Sequence, residues 1–111
     1  MLRCPYILPR AHLRPYEDLV FEWDAQKAKR NLQKHGVTFD ESITVFDDAL
    51  ASIFPDDDHS SEEEREILVG YSILNRLLLV CFTERGDRVR IISARKATPL
   101  ERNDHEKHLQ G

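Results

Sequence analysis

Residues 77–96 read LLLVCFTERGDRVRIISARK. Two runs rich in β-branched and apolar side chains flank the short Arg85-Gly86-Asp87 link, which is the pattern of a hairpin. Upstream, residues 65–72 (REILVGYS) form a third β-prone run, joined to the next by the four residues ILNR at 73–76. Connections this short join antiparallel neighbours, so the second half of the chain is expected to be a meander. In residues 77–84, Leu77, Leu79 and Cys81 alternate with Leu78, Val80 and Phe82. Both faces of that strand are apolar and both need a cover. Two short helices can shelter one face of a small sheet. The other is left to a partner protein, or to loops and the N-terminal arm.

Before the meander the period changes. Asp24 suits a helix N-cap, residues 25–35 are rich in helix formers, and Gly36 is a C-terminal signal. On that helix Ala25, Ala28, Leu32 and His35 share one face, while Lys27, Arg30 and Lys34 line another. Thr38-x-x-Glu41 has capping-box spacing, and Phe39, Ile43 and Phe46 give a second helix its buried stripe. Asp47-Asp48, ill placed at the negative end of a helix dipole, close it. Residues 19–23 (LVFEW) are β-prone, with Leu19, Phe21 and Trp23 on one side, and residues 49–54 form a short strand before Pro55 and an acidic loop at 56–64. Thr98-Pro99-Leu100-Glu101 combines an N-cap, a first-turn proline and a capping-box glutamate. Leu100 and Leu109 fall on opposite sides of that last helix, so it is expected at the surface and frayed. The order β-α-α-β-β-β-β-α predicts the α+β class, an antiparallel sheet with helices packed on one face. Residues 19–111 make one domain. Residues 1–18, with Pro5, Pro9 and Pro15 and neither period, are expected to be a flexible extension.

The 111 residues bound a single core. No apolar run approaches the roughly 20 residues of a membrane span, and the apolar start is broken by proline too early for a secretory signal. Two cysteines make no disulfide framework, so the cytoplasm is the expected compartment. The net charge of −4 hides a strong division. Residues 24–36 carry four basic side chains and one acidic; residues 37–64 carry ten acidic and none basic; residues 65–96 carry seven basic and three acidic. A basic helix, an acidic middle and basic strands fit either a mixed solvated surface or a nucleic-acid binder whose charge is local.

Phe21-Glu22-Trp23-Asp24, Asn31-Leu32-Gln33-Lys34-His35-Gly36-Val37-Thr38-Phe39 and Val45-Phe46-Asp47-Asp48 occur in that order. They are followed by Glu64-Arg65, Gly70, Thr83-Glu84-Arg85-Gly86, Arg90-Ile91-Ile92-Ser93-Ala94-Arg95-Lys96-Ala97 and Glu101-Arg102. In this combination the chain resembles the BrnT toxin family from Phe21 to about Lys107. The resemblance implies a RelE-like ribonuclease fold and RNA as the substrate. It also implies a BrnA-like antitoxin that neutralises the toxin, with DNA bound only through the toxin–antitoxin complex.

Cleaving RNA without a metal requires the 2′-hydroxyl to lose its proton, the phosphorane charge to be stabilised and the 5′-oxygen to gain a proton. Arginine suits the second task, since its planar guanidinium offers paired donors and stays charged. Arg90 is the first candidate: alternation puts Arg88, Arg90, Ile92, Ala94 and Lys96 on one face, a basic row able to track a phosphate backbone, with Val89 and Ile91 towards the core. Arg95 falls on the opposite face by that count unless a bulge re-aims it, and its inclusion rests on the family resemblance. Each of these arginines could instead pair with the acidic middle. Arg65 either contacts phosphate or pairs with Glu62, Glu63 and Glu64. His35 is suited to proton transfer, or caps its helix before Gly36. Lys27 and Lys34 either guide RNA or line a solvated helix face. Asp56-Asp57-Asp58-His59 lacks the glycine and spacing of a calcium loop and has no zinc-spaced partner, so neither metal nor cofactor is expected. His105 and His108 are expected to be exposed and incidental. The alternative to a ribonuclease is a non-catalytic protein-binding module on the same scaffold, acting through partner proteins.

Overall fold

The computed structural model describes residues 8–9, 19–55 and 65–110. The expected acidic loop, with its Asp56–His59 run, and all of the N-terminal extension except two residues lie outside them. Those two, Leu8–Pro9, form strand β1. There follow β2 (Val20–Glu22), helix α1 (Ala25–His35), helix α2 (Phe39–Thr44) with a 3-10 turn (Val45–Asp47), and β3 (Ser52–Pro55). The chain continues through β4 (Glu66–Tyr71), β5 (Leu77–Arg85) and β6 (Arg88–Lys96) to helix α3 (Pro99–Gln110). The fold is α+β, with one sheet of order β1-β3-β4-β5-β6-β2. The meander β3-β4-β5-β6 is antiparallel throughout. Only β2, separated from β6 by most of the chain, joins in parallel at the far edge.

The core lies between α1, α2 and the sheet face carrying Leu68, Leu78, Val80, Phe82, Val89, Ile91 and Ala94, all buried. Phe46 fills its middle, edge-on to Phe21 at 5.0 Å and to Phe82 at 5.1 Å, and Trp23 meets Phe39 edge-on at 5.8 Å. Leu19, Phe21 and Trp23 therefore face inward, as their alternation predicts. Gly70 is forced by proximity: a β-carbon there would stand 2.7 Å from Ala51 Cβ and 2.9 Å from Asp48 Oδ2. Asp48 does more than end a helix. Its carboxylate accepts from the Tyr71 N–H at 2.8 Å and from the Leu50 N–H at 3.0 Å, which ties the loop before β3 to β4.

Three local expectations are corrected. On α1 Ala28 packs against the core as expected, but the buried residue beside it is Asn31, only 6% exposed, whereas Leu32 is 47% exposed. Asn31 Nδ2 donates to the carbonyls of Ala94 at 2.8 Å and Val37 at 2.9 Å, and its Oδ1 accepts from the Ala94 N–H at 3.0 Å. β2 reaches only as far as Arg90 along β6, so Asn31 satisfies the strand edge where β2 has run out, and a leucine could not. In α2 the capping box is half made. Thr38 Oγ1 accepts from the Glu41 N–H at 3.0 Å, but the buried Glu41 carboxylate accepts from Ser72 Oγ at 2.6 Å and from the Arg76 guanidinium. Glu41 is held ionised below the usual range, first by the Arg76 hydrogen bonds. Finally, α3 contributes a buried side chain: His105 is 4% exposed and its ring tilts against Tyr71.

Candidate nucleic-acid interface

The register of β5 with β6 decides where the basic residues point. Cys81 pairs with Ser93 but Phe82 pairs with Ile91, so Ile92 is an extra residue and β6 carries a bulge. A bulge inverts the alternation on one side of itself. Arg88 and Arg90, before it, share a face with Thr83 and Arg85. After it, Arg95 is paired with Leu79 and returns to that same face, while Ala94 and Lys96 turn to the helix-covered side opposite Val80 and Leu78. The unbroken row Arg88-Arg90-Ile92-Ala94-Lys96 is thereby corrected: one inserted residue exchanges Ala94 and Lys96 for Arg95. Ala94 is 1% exposed and packed in the core, as this requires.

The face away from α1 and α2 thus carries Arg88, Arg90 and Arg95. Arg65 directly precedes β4, and by alternation it belongs to the same face, in the row of Thr83 and Arg90. Its Nε is buried with no hydrogen-bond partner among the described residues. β2 adds a carboxylate: Glu22 pairs in register with Arg90, and Phe21 points to the core, so Glu22 points outward. Arg88 Nη1 donates to Glu22 Oε1 at 3.3 Å and Arg90 Nη1 donates to Glu22 Oε2 at 3.5 Å, the outer limit of a hydrogen bond. The side chains of Arg90 and Glu22 are 29% and 27% exposed. This is an open pair of guanidiniums sharing one lightly held carboxylate.

At the other end of β6 the arrangement is tight. Arg95 donates from Nη1 to Glu101 Oε1 and from Nη2 to Glu101 Oε2, both at 2.8 Å. Glu101 Oε1 also accepts from the Thr98 N–H at 2.9 Å, while Thr98 Oγ1 accepts from the Glu101 N–H at 3.1 Å, so here the capping box is complete. The Arg95 pairing holds the Glu101 carboxyl down to about 2. Arg102 Nη1 donates to Tyr71 Oη at 3.4 Å, a further tie between α3 and the sheet.

The remaining candidates are not brought to this face. His35 ends α1 beside Gly36, whose carbonyl accepts from Arg76 Nη2 at 3.2 Å near the start of β5. That is the Lys96 end of β6, about 20 Å along the strand from Arg90, and across the sheet from it. Lys27 and Lys34 are exposed on α1, in the helix layer. Among the described residues no three His, Cys, Asp or Glu side chains are grouped to hold a metal ion, and no helix is long and apolar enough to cross a membrane. Sequence reasoning missed two residues, Asn31 and Glu22. Both stand in the quoted motifs, but periodicity marks neither.

Residues 23–101 match the family model of the ribonuclease toxin BrnT of type II toxin–antitoxin systems. The chain belongs to the BrnT family. Its fold is also that of the crystal structure of the Brucella abortus ribonuclease toxin BrnT: the TM-score is 0.56 at 24% identity, with 72% of this chain and 96% of that one covered. No curated relative matches the chain. BrnT is thus a family of ribonuclease toxins, and type II toxins are paired with an antitoxin.

Proposed function

We propose that this BrnT-family chain is an endoribonuclease toxin of the cytoplasm, cleaving RNA by metal-independent attack of the 2′-hydroxyl on the adjacent phosphorus and silenced by a BrnA-like antitoxin. The observation that carries the reading is the row on the face away from the helices, where Arg90 stays partly exposed beside the exposed Arg88, with Arg65 across the buried Thr83. Guanidiniums there can bind non-bridging phosphate oxygens in pairs and stabilise the charge that grows on the phosphorane. Arg90 and Arg65 form the phosphate site and Arg88 flanks it. Arg95, about 15 Å farther along the strand, is a more distant contact, already occupied by Glu101. DNA would be bound only through the antitoxin.

Expression without an antitoxin should arrest growth and deplete transcripts, and Arg90→Ala should relieve both. Intact transcripts in arrested cells, or an Arg90→Ala variant that arrests growth as fully as its parent, would instead favour a protein-binding module.

A further inference from the structure

We propose that Glu22 is the general base of this site, taking the proton from the attacking 2′-hydroxyl; the assignment rests on the ribonuclease reading above. Three observations carry it. Glu22 lies in register beside Arg90 on the outer face, where its two oxygens approach Arg88 and Arg90 separately, at 3.3 and 3.5 Å. Such long single contacts exchange readily for a phosphodiester, whose oxygens offer each guanidinium a shorter, charge-assisted bond. A phosphate seated on Arg90 then brings the neighbouring 2′-oxygen within hydrogen-bond reach of the displaced carboxylate.

Among the described residues, three carboxylates are committed elsewhere and a fourth faces away. Asp24 caps α1 through the N–H groups of Gln26 and Lys27. Both Glu101 oxygens are bound by Arg95, at the far end of the strand. Glu41 is sealed between Ser72 and Arg76 on the helix side of the sheet. Glu84 pairs with Val89, a core-facing residue, and so points away from Arg90.

In the step itself Glu22 accepts the 2′-hydroxyl proton as the 2′-oxygen bonds to phosphorus. The P–O5′ bond breaks, and the 5′-oxygen takes a proton from a solvent water. The hydroxide left behind is neutralised by the proton on Glu22. The products are a 2′,3′-cyclic phosphate and a 5′-hydroxyl, with the carboxylate restored.

The test is single-turnover cleavage of a mixed-sequence oligoribonucleotide by the full chain across roughly pH 4–8, spanning the ordinary carboxylate range. Glu22→Gln should lower the rate at least about 100-fold, remove the acidic limb of the profile and leave RNA affinity equal or tighter. Glu22→Asp should be slower than the parent but keep the limb. A Glu22→Gln protein within about threefold of its parent, with the limb intact, overturns the assignment. Should that variant fail to fold, a parent profile without an acidic limb overturns it equally. Arg90→Ala, run in parallel, separates the two claims. If Arg90→Ala abolishes cleavage and Glu22→Gln does not, only the base assignment fails; if both cleave normally, the ribonuclease site itself is wrongly placed.

Discussion

Arg90 and Arg95 stand on the same face of the same strand, five residues apart, and are held in opposite ways. Arg95 is gripped by both oxygens of Glu101 at 2.8 Å, inside a completed helix cap, and that pair fastens α3 to the sheet. Arg90 meets Glu22 through one 3.5 Å contact, shared with a 3.3 Å contact from Arg88. A guanidinium whose donors are already matched in a fork gains little by exchanging one oxyanion for another. One that is positioned but poorly matched gains a great deal. Equal charge and equal facing therefore do not make equal sites: the end fastened by α3 is already matched by Glu101, and the loosely matched end beside the short strand β2 is the one we propose holds RNA.

The sharpest way to break this contrast is to remove each arginine in turn. Arg90→Ala should reduce RNA cleavage about a thousandfold, as expected for losing the main stabiliser of transition-state charge, with the unfolding midpoint little changed. Arg95→Ala should do the reverse, reducing cleavage less than about tenfold while lowering stability by about 1 kcal/mol, since its pair is partly solvated. Cleavage assays and denaturant titrations on both variants check the pairing.

Next in size is Asn31→Ala. It leaves the N–H and carbonyl of Ala94 and the carbonyl of Val37 without their partner, and should cost about 3 kcal/mol, read by urea unfolding. Because Ala94 lies just past the bulge, hydrogen exchange at the amides of residues 93–95 should also accelerate. Protected amides there would mean that the bulge does not depend on Asn31.

The Glu101 pair has a pH signature of known sign. Its carboxyl is lowered from an ordinary 4.5 to about 2, chiefly by Arg95. The stability it adds is therefore complete above about pH 4.5 and is lost as pH falls towards 2. Glu101→Gln should lower stability at neutral pH by about 1 kcal/mol and flatten that acid limb of an unfolding-versus-pH curve. The smallest effect is expected from Lys27→Ala with Lys34→Ala. These exposed side chains lie in the helix layer, so cleavage at moderate salt should change by less than about threefold.

Much of this architecture could be read along the chain, because the signals were local. The short links at 73–76 and 86–87, the Asp24 and Gly36 helix ends and the inward set Leu19, Phe21 and Trp23 all depend on near neighbours. What could not be read depends on residues far apart in sequence. Alternation carries Arg88 and Arg90 to the correct face but cannot see an inserted residue at Ile92, since the bulge is defined only against β5. Asn31 looks like a solvent-facing position until the edge of β6 arrives beside it. Glu22 looks like an ordinary strand-edge charge until β2 joins β6 in parallel and sets it against Arg90. The same is true of Glu41, whose capping-box spacing with Thr38 is overridden by Arg76, and of His105, which the polar composition of α3 places in solvent but Tyr71 covers.

The most direct test is to watch the arginine side chains themselves while a ligand binds. With the full chain labelled for NMR, a pool of 2′-O-methyl oligoribonucleotides, which bind but cannot supply the attacking hydroxyl, is titrated in and the Nε–Hε signals are followed. Arg90 and Arg65 should shift in a saturable, salt-sensitive way, while Arg95 stays with Glu101. Saturable binding that moves Arg95 and leaves Arg90 and Arg65 where they were would contradict the assignment of the open end of β6 as the site that holds RNA.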